Sequence, residues 1–163
     1  MIRFKPKRKS IKKTTAYDEK YLWPIFSLFI RFRDTDENGY GKCFTCGLIK
    51  HWKDSQAGHY ISRKNHSTKY NEVGVRNQCG GCNAPYIGGG RPEEFAKGLD
   101  ELFGEGTATK LKIASKQTCK RAQFEYDTMA DYYCGEVIKL GKLKGIDATE
   151  LPAIKRWLNR RKN

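Results

Sequence analysis

Two Cys-x-x-Cys pairs constrain this chain more than any other feature. Cys43-Phe-Thr-Cys46 and Cys79-Gly-Gly-Cys82 stand 32 residues apart. A two-residue spacer lets one tight turn aim both thiolates at a single point, and two such turns supply the four soft ligands that tetrahedral zinc prefers. A closed four-thiolate site has no open coordination position, so the expected zinc holds shape and does not catalyse. Between the pairs lies Gln56-Ala-Gly-His59-Tyr-Ile-Ser-Arg63, a histidine-bearing stretch pinned inside the clamp. The functional question is what that histidine does.

With 163 residues the chain is long enough for one compact domain plus extensions. Its net charge of +14 points to a polyanionic partner, and its placement is uneven. Residues 1–16 carry seven Lys/Arg and no acid, and residues 151–163 carry five and no acid, leaving the middle close to neutral. Such tails suit salt-sensitive, sequence-independent grip on phosphate. The six cysteines do not read as a secreted disulfide scaffold, because four form metal-type pairs and Met1–Thr15 lacks the apolar core of a signal peptide. A reduced, cytoplasmic protein is expected, with Cys119 and Cys134 as ordinary buried thiols. The longest apolar run, Tyr21–Phe32, is too short to span a bilayer.

In chain order, a basic arm over 1–16 precedes a helix that begins near Leu22 and ends at Arg33, with an apolar stripe at helical spacing. After a polar Gly-containing loop and the first knuckle, Gly47–Ile61 reads as a β-hairpin with Tyr60 and Ile61 in its second strand. Ala84–Gly90 is loop. Helices are expected over Pro92–Phe103, stopped by Gly104, over Thr107–Lys116 and over Lys120–Leu140. The last of these would bury Phe124, Met129, Tyr132, Tyr133, Val137 and Leu140. Gly141–Gly145 reads as a linker, and Thr149 as the cap of a final helix, Glu150–Arg161, that packs through Leu151, Ile154 and Leu158. Three units follow: the arm over 1–16, a zinc-stabilised domain with a helical cap over 17–145, and a basic amphipathic helix over 146–163.

A neutral imidazole near pH 7 is matched to taking a proton from water, which makes His59 the candidate general base. Small Ala57 and Gly58 beside it would let a substrate backbone come close, and Arg63 and Lys64 follow to bind phosphate. Phosphodiester hydrolysis also uses a divalent cation, magnesium or manganese, and hard cations want oxygen ligands. Asn83, directly after Cys82, offers an amide oxygen. Glu72, preferred over Asp54, offers a carboxylate, and Gln56 is a substitute oxygen donor. Arg76 and the terminal Lys155, Arg156, Arg160 and Arg161 are further phosphate contacts. His51 reads as a surface residue. His66 is a weaker phosphate contact, and Trp52 and Trp157 are packing residues with a secondary capacity to stack on bases.

The order Cys-x-x-Cys, then Ala57-Gly-His-Tyr60, then Tyr70-Asn-Glu72 and Gln78-Cys-x-x-Cys-Asn83 resembles the NinG (Rap) recombination proteins of lambdoid phages. These are a branch of the HNH, or ββα-metal, nucleases. The resemblance runs over roughly residues 22–140. It implies a metal-dependent endonuclease cutting branched DNA, such as Holliday junctions or single-strand/duplex joints, in the cytoplasm of a phage-infected cell. His59 then matches the water-activating histidine and Asn83 the final metal-binding position. Two departures stand out. Gly58 occupies the place where many HNH nucleases put a metal-binding acid or histidine. Gly74 stands where the middle asparagine is usual, with Asn71 and Asn77 out of register.

The expected architecture is therefore α+β: a small zinc-braced ββα-type core, one helix before it and helices after it. The expected activity is structure-selective DNA cleavage; the rival is a zinc-ribbon DNA-binding protein without catalysis, indifferent to His59. Two cuts per junction are compatible with a homodimer, although no residue pattern establishes one.

Overall fold

The computed structural model describes residues 17–84 and 86–162; the expected basic arm over 1–16 lies outside them. Helix α1, Leu22–Arg33, is the spine of the molecule. Leu22, Ile25, Phe26, Ile30 and Phe32 on it are fully buried, and Leu28 and Phe29 nearly so. Pro24 sits in its first turn, where no intrahelical N–H bond is lost. Against this stripe packs the 21-residue helix α5, Gln123–Leu143, numbered after the shorter helices introduced below. The Tyr133 ring lies 4.9 Å from Phe26 and 5.0 Å from Phe29.

The buried side of α5 matches the expected one at Tyr133 and Val137, with Met129 and Leu140 packed at the edge of the core, and departs from it elsewhere. Phe124 and Tyr132 are exposed, and the stripe consists of Tyr126, Ala130, Tyr133, Cys134, Val137 and Gly141. Close approach decides this, not size. A Cβ on Gly141 would sit 2.9 Å from the Ala148 Cβ, so the helix end is pressed onto the chain that follows. The expected linker at Gly141 is helix through Leu143. Asp147, not Thr149, caps the 3-10 turn Ala148–Glu150 that comes next. The last helix, α6, runs Pro152–Lys162. It docks through Ile154 and Trp157, which are 0% and 1% exposed, while Leu151 and Leu158 pack at the edge of the same core. The Trp157 Nε1–H donates to Asp131 at 2.9 Å. Trp157→Ala is expected to cost roughly 3–5 kcal/mol, the usual range for deleting a buried aromatic ring, read as a lowered midpoint in urea.

Among the described residues, four short strands form two separate antiparallel pairs: β1 (Tyr40–Lys42) with β2 (Ile49–His51), and β3 (Ser55–His59) with β4 (Val75–Cys79). The expected single hairpin over Gly47–Ile61 is thus divided between two hairpins. Trp52 divides it. Its ring is 5% exposed and meets Phe32 edge-on at 4.8 Å, so the chain dips into the core through a 3-10 turn between the two strands. β2 then pairs backward across the first cysteine pair, and β3 pairs forward with the strand leading to the second. Tyr60 and Ile61 fall beyond β3 and join a small satellite core with Phe95, Leu99, Ala108 and Leu111. That core belongs to α3 (Pro92–Phe103) and α4 (Thr107–Ser115). A further helix, α2, is a single turn, Gly80–Asn83, directly after β4.

Candidate functional site

The four cysteines converge. Cys43, Cys46, Cys79 and Cys82 have sulfur atoms within 4.8 Å of one another, and Cys46 and Cys79 are 3.8 Å apart. Zinc–sulfur bonds of about 2.3 Å in a tetrahedron put neighbouring sulfurs about 3.8 Å apart, so this cluster fits one zinc ion. Main-chain bonds hold the first pair and tie it to β4: Cys43 N donates to Leu48 O and Phe44 N donates to Asn77 O, both at 2.8 Å. Thr45 Oγ1 accepts from Gln78 Nε2 at 3.0 Å and lies 3.5 Å from Cys43 Sγ. Burial raises the Cys43 thiol, but the Thr45 hydroxyl and backbone donors from Cys79, Cys46 and Thr45 outweigh it and bring it down to about 6. Burial pushes Cys82 up to about 12. A doubly charged cation in the centre removes this conflict by favouring all four thiolates.

Strand β3 carries His59 to the edge of a cavity of about 620 Å³, lined also by Trp23, Gln56, Ala57, Ser62, Arg63, Asn83, Ala84, Gly89 and Gly90. An adjoining cavity shares Trp23, Gln56, Ala57, Arg63 and Asn83 and adds Ser27, Arg31 and Ser55. Together they form a cleft between α1 and β3, with two guanidinium groups and no carboxylate among its described lining.

His59 is held on two sides. Its ring stacks on Trp23 at 5.0 Å, and Nε2 lies 2.9 Å from the Lys69 carbonyl. A carbonyl only accepts, so Nε2 carries the proton and Nδ1 keeps the lone pair. Burial lowers the imidazole pKa to about 4, and the nearby Arg63 and Lys69 charges add to that. The ring is therefore neutral at pH 7. Lys69 is itself fixed: its buried ammonium pairs with buried Asp18 and, at 3.0 Å, with Glu19. The other Glu19 oxygen is 3.8 Å from Arg63, whose guanidinium covers Trp23 at 4.9 Å. A closed ring of contacts thus sets His59 and the Arg63 cation beside it.

Gly58 answers a packing demand and does not open space for substrate. A Cβ there would come within 1.8 Å of Gln78 Oε1, and Gln78 is fully buried with its amide tied to Thr45 and Gly90. The same crowding leaves no room for an acid before His59. Asn83 lies in the cleft and donates from Nδ2 to Gln56 Oε1 at 2.7 Å, leaving its own oxygen as an acceptor. Glu72 does not line the cleft. Its Oε1 accepts from the Tyr133 hydroxyl at 3.1 Å, and Oε2 is 3.8 Å from Arg33. For a divalent cation the cleft thus supplies only neutral side-chain donors, the amides of Gln56 and Asn83 and serine hydroxyls, a set that fits a cation shared with a phosphate and not one held by the protein alone.

The other expected contacts disperse. Lys64 is exposed in the loop after β3. Arg76 is half-buried between the Phe44 and Phe103 rings, 3.6 Å from Asp34. On α6, Lys155 pairs with Glu150 at 2.7 Å and Arg156 donates to Lys20 O at 3.2 Å. Arg160 donates to the Tyr17 hydroxyl and Arg161 to Asp131, each at 2.7 Å. His51 accepts from Lys53 N, and Asn71 closes a turn by accepting from Val73 N and Gly74 N. Asn77 reaches the Lys42 carbonyl from the other hairpin. Sequence reading passed over Trp23, Ser27 and Arg31. Their signal was there: spaced four residues apart on α1, they form a second stripe beside the apolar one.

These features define a small α+β protein whose four cysteines are placed to hold one metal ion beside a basic, histidine-lined cleft. The family described as Bacteriophage Lambda NinG protein matches residues 2–142, and the chain belongs to that family. No curated protein and no solved structure matches it. Among the described residues, no helix is long and apolar enough to cross a membrane.

Proposed function

We propose that this protein is a structure-selective DNA endonuclease of phage recombination, hydrolysing phosphodiesters in branched intermediates. The observation that carries the reading is the state of His59: neutral, oriented by the Lys69 carbonyl, with Nδ1 unprotonated in a cleft free of carboxylates. In this reading Nδ1 takes a proton from the attacking water while Arg63 and Arg31 hold the phosphate. Ser62 and the glycine-lined rim leave room for the strand. A magnesium or manganese ion held by Asn83 and the phosphate oxygens would stabilise the leaving oxygen. A zinc ion held by the four cysteines would brace the junction of β4 and α2, and through the pairing of β3 with β4 would fix His59 against Asn83. The basic termini add salt-sensitive affinity for the DNA backbone.

The test is cleavage of a labelled four-way junction, a flap and a linear duplex, with magnesium and with manganese, alongside RNA of the same design. Cleavage of branched DNA in preference to the linear duplex and the RNA is the expected result. Tight binding without cutting on every substrate with either metal would reject the nuclease and leave a zinc-ribbon DNA-binding module. Cleavage of RNA alone would reject the substrate.

A further inference from the structure

The loop after α2 borders the cleft through Ala84, Gly89 and Gly90 and carries two strongly exposed apolar side chains. Tyr86 is 100% and Ile87 82% exposed, the two highest values among the large hydrophobic residues described. The backbone beneath them is tightly strapped. Ala84 O accepts from the amides of Ile87, Gly88 and Gly89 at 3.2, 3.0 and 2.8 Å, and Gly90 N donates to Cys82 O at 2.9 Å. A Cβ on Gly88 would come within 2.5 Å of the Cys82 and Gly81 carbonyls, so the turn lies flush against the helix that carries the last cysteine. Ala84, Gly89 and Gly90 line the same cavity as His59. An aromatic and a β-branched side chain thus project from a braced turn beside the candidate base.

We propose that Tyr86 and Ile87 are a wedge that inserts into DNA where base stacking is already interrupted, and so select branched over linear duplex substrates. The proposal rests on the nuclease reading and adds to it the element that recognises the branch. Charge complementarity names the occupant: the neighbouring cleft presents Arg31 and Arg63 and no carboxylate, in a chain of net charge +14. Apolar side chains inserted at a base step unstack it. That step costs least where the bases are unpaired, so a wedge discriminates by substrate deformability and not by base sequence. The strapped backbone matters because a floppy loop would lose its own entropy on insertion.

The experiment measures affinity for a flap, a four-way junction and a linear duplex, using the full chain with His59→Ala to prevent cutting. Tyr86→Ala/Ile87→Ala is added to that background, with zinc content and thermal unfolding as checks of the fold. Stacking on one base contributes roughly 10- to 100-fold in affinity. The double variant should therefore lose about 10-fold or more on branched DNA and little on linear duplex, and Tyr86→Trp should retain the preference. An unchanged branched-to-linear ratio overturns the wedge, as does an equal loss on all three substrates. A loss of self-association alone would also overturn it and assign the loop to a protein contact. Cutting by the chain with His59 in place, alongside an unchanged ratio in the variant, removes the wedge and leaves the nuclease. Absence of cutting alongside a collapsed ratio removes the nuclease and keeps the wedge.

Discussion

Cys79→Ser is expected to release the metal and unfold the central part of the protein. The two hairpins are not hydrogen-bonded into one sheet, and their strands are three to five residues long. Isolated hairpins of that size are marginal in water. The cysteine cluster bridges them: Cys43 directly follows β1, and Cys79 ends β4 and begins α2. A structural zinc site contributes about 10–16 kcal/mol in small zinc-folded peptides, as much as the whole net stability of an ordinary domain. Wild type should therefore carry one zinc per chain, and Cys79→Ser close to none. A strong chelator should reproduce the variant, with loss of near-ultraviolet circular dichroism. Cys119→Ser, outside the cluster, should change neither readout. Equal melting of Cys79→Ser and wild type, or wild type without bound metal, would remove the clamp.

His59→Ala should abolish cleavage and spare binding. Loss of a positioned general base costs roughly 10²- to 10⁴-fold in rate. Affinity for branched DNA should stay within about threefold, because Arg63 and Arg31 hold the phosphate in the proposed arrangement and His59 lends no charge. The acid limb follows from burial. With its pKa lowered to about 4, the imidazole is neutral at pH 7, and kcat/KM should fall only as pH drops towards that value. Stability moves the same way. The unfolded chain protonates its histidine near 6.5 and the folded one near 4, so between these values the unfolded state binds more protons. The contribution is complete above about 6.5 and disappears as pH falls through about 4. Its size is on the order of 3 kcal/mol. An activity profile centred near 6.5 would mean a solvated histidine, and cleavage surviving in His59→Ala would place the base elsewhere.

Several features were legible in the chain because they depend on neighbouring residues alone. Helix α3 runs from Pro92 to Phe103 and stops at Gly104, as proline at the first turn and glycine beyond the last turn require. Helix α1 begins at Leu22 and ends at Arg33 for the same kind of reason. The cysteine pairs announced themselves by spacing. The strands did not, since pairing is a relation between distant segments. Ile49–His51 and Ser55–His59 look like two arms of one hairpin until Trp52 is pulled into the core between them. Glu72 shows the same limit: near the second cysteine pair in sequence, it turns to Tyr133 and Arg33 in space.

The sequence by itself determined a four-cysteine clamp, a histidine between its halves, the principal helices and a surplus of positive charge, since spacing, turn chemistry and composition are local properties. Only the tertiary structure decided what that histidine meets. Trp23 on one face and the Lys69 carbonyl at Nε2 come from different segments, and they set its tautomer and its charge. Tertiary packing also sent the α6 cations to Glu150, the Lys20 carbonyl, Tyr17 and Asp131, and brought Arg31 to the cleft. A side chain's chemistry is written in its residue type, but its pKa, partners and reach belong to the space that the rest of the chain builds around it.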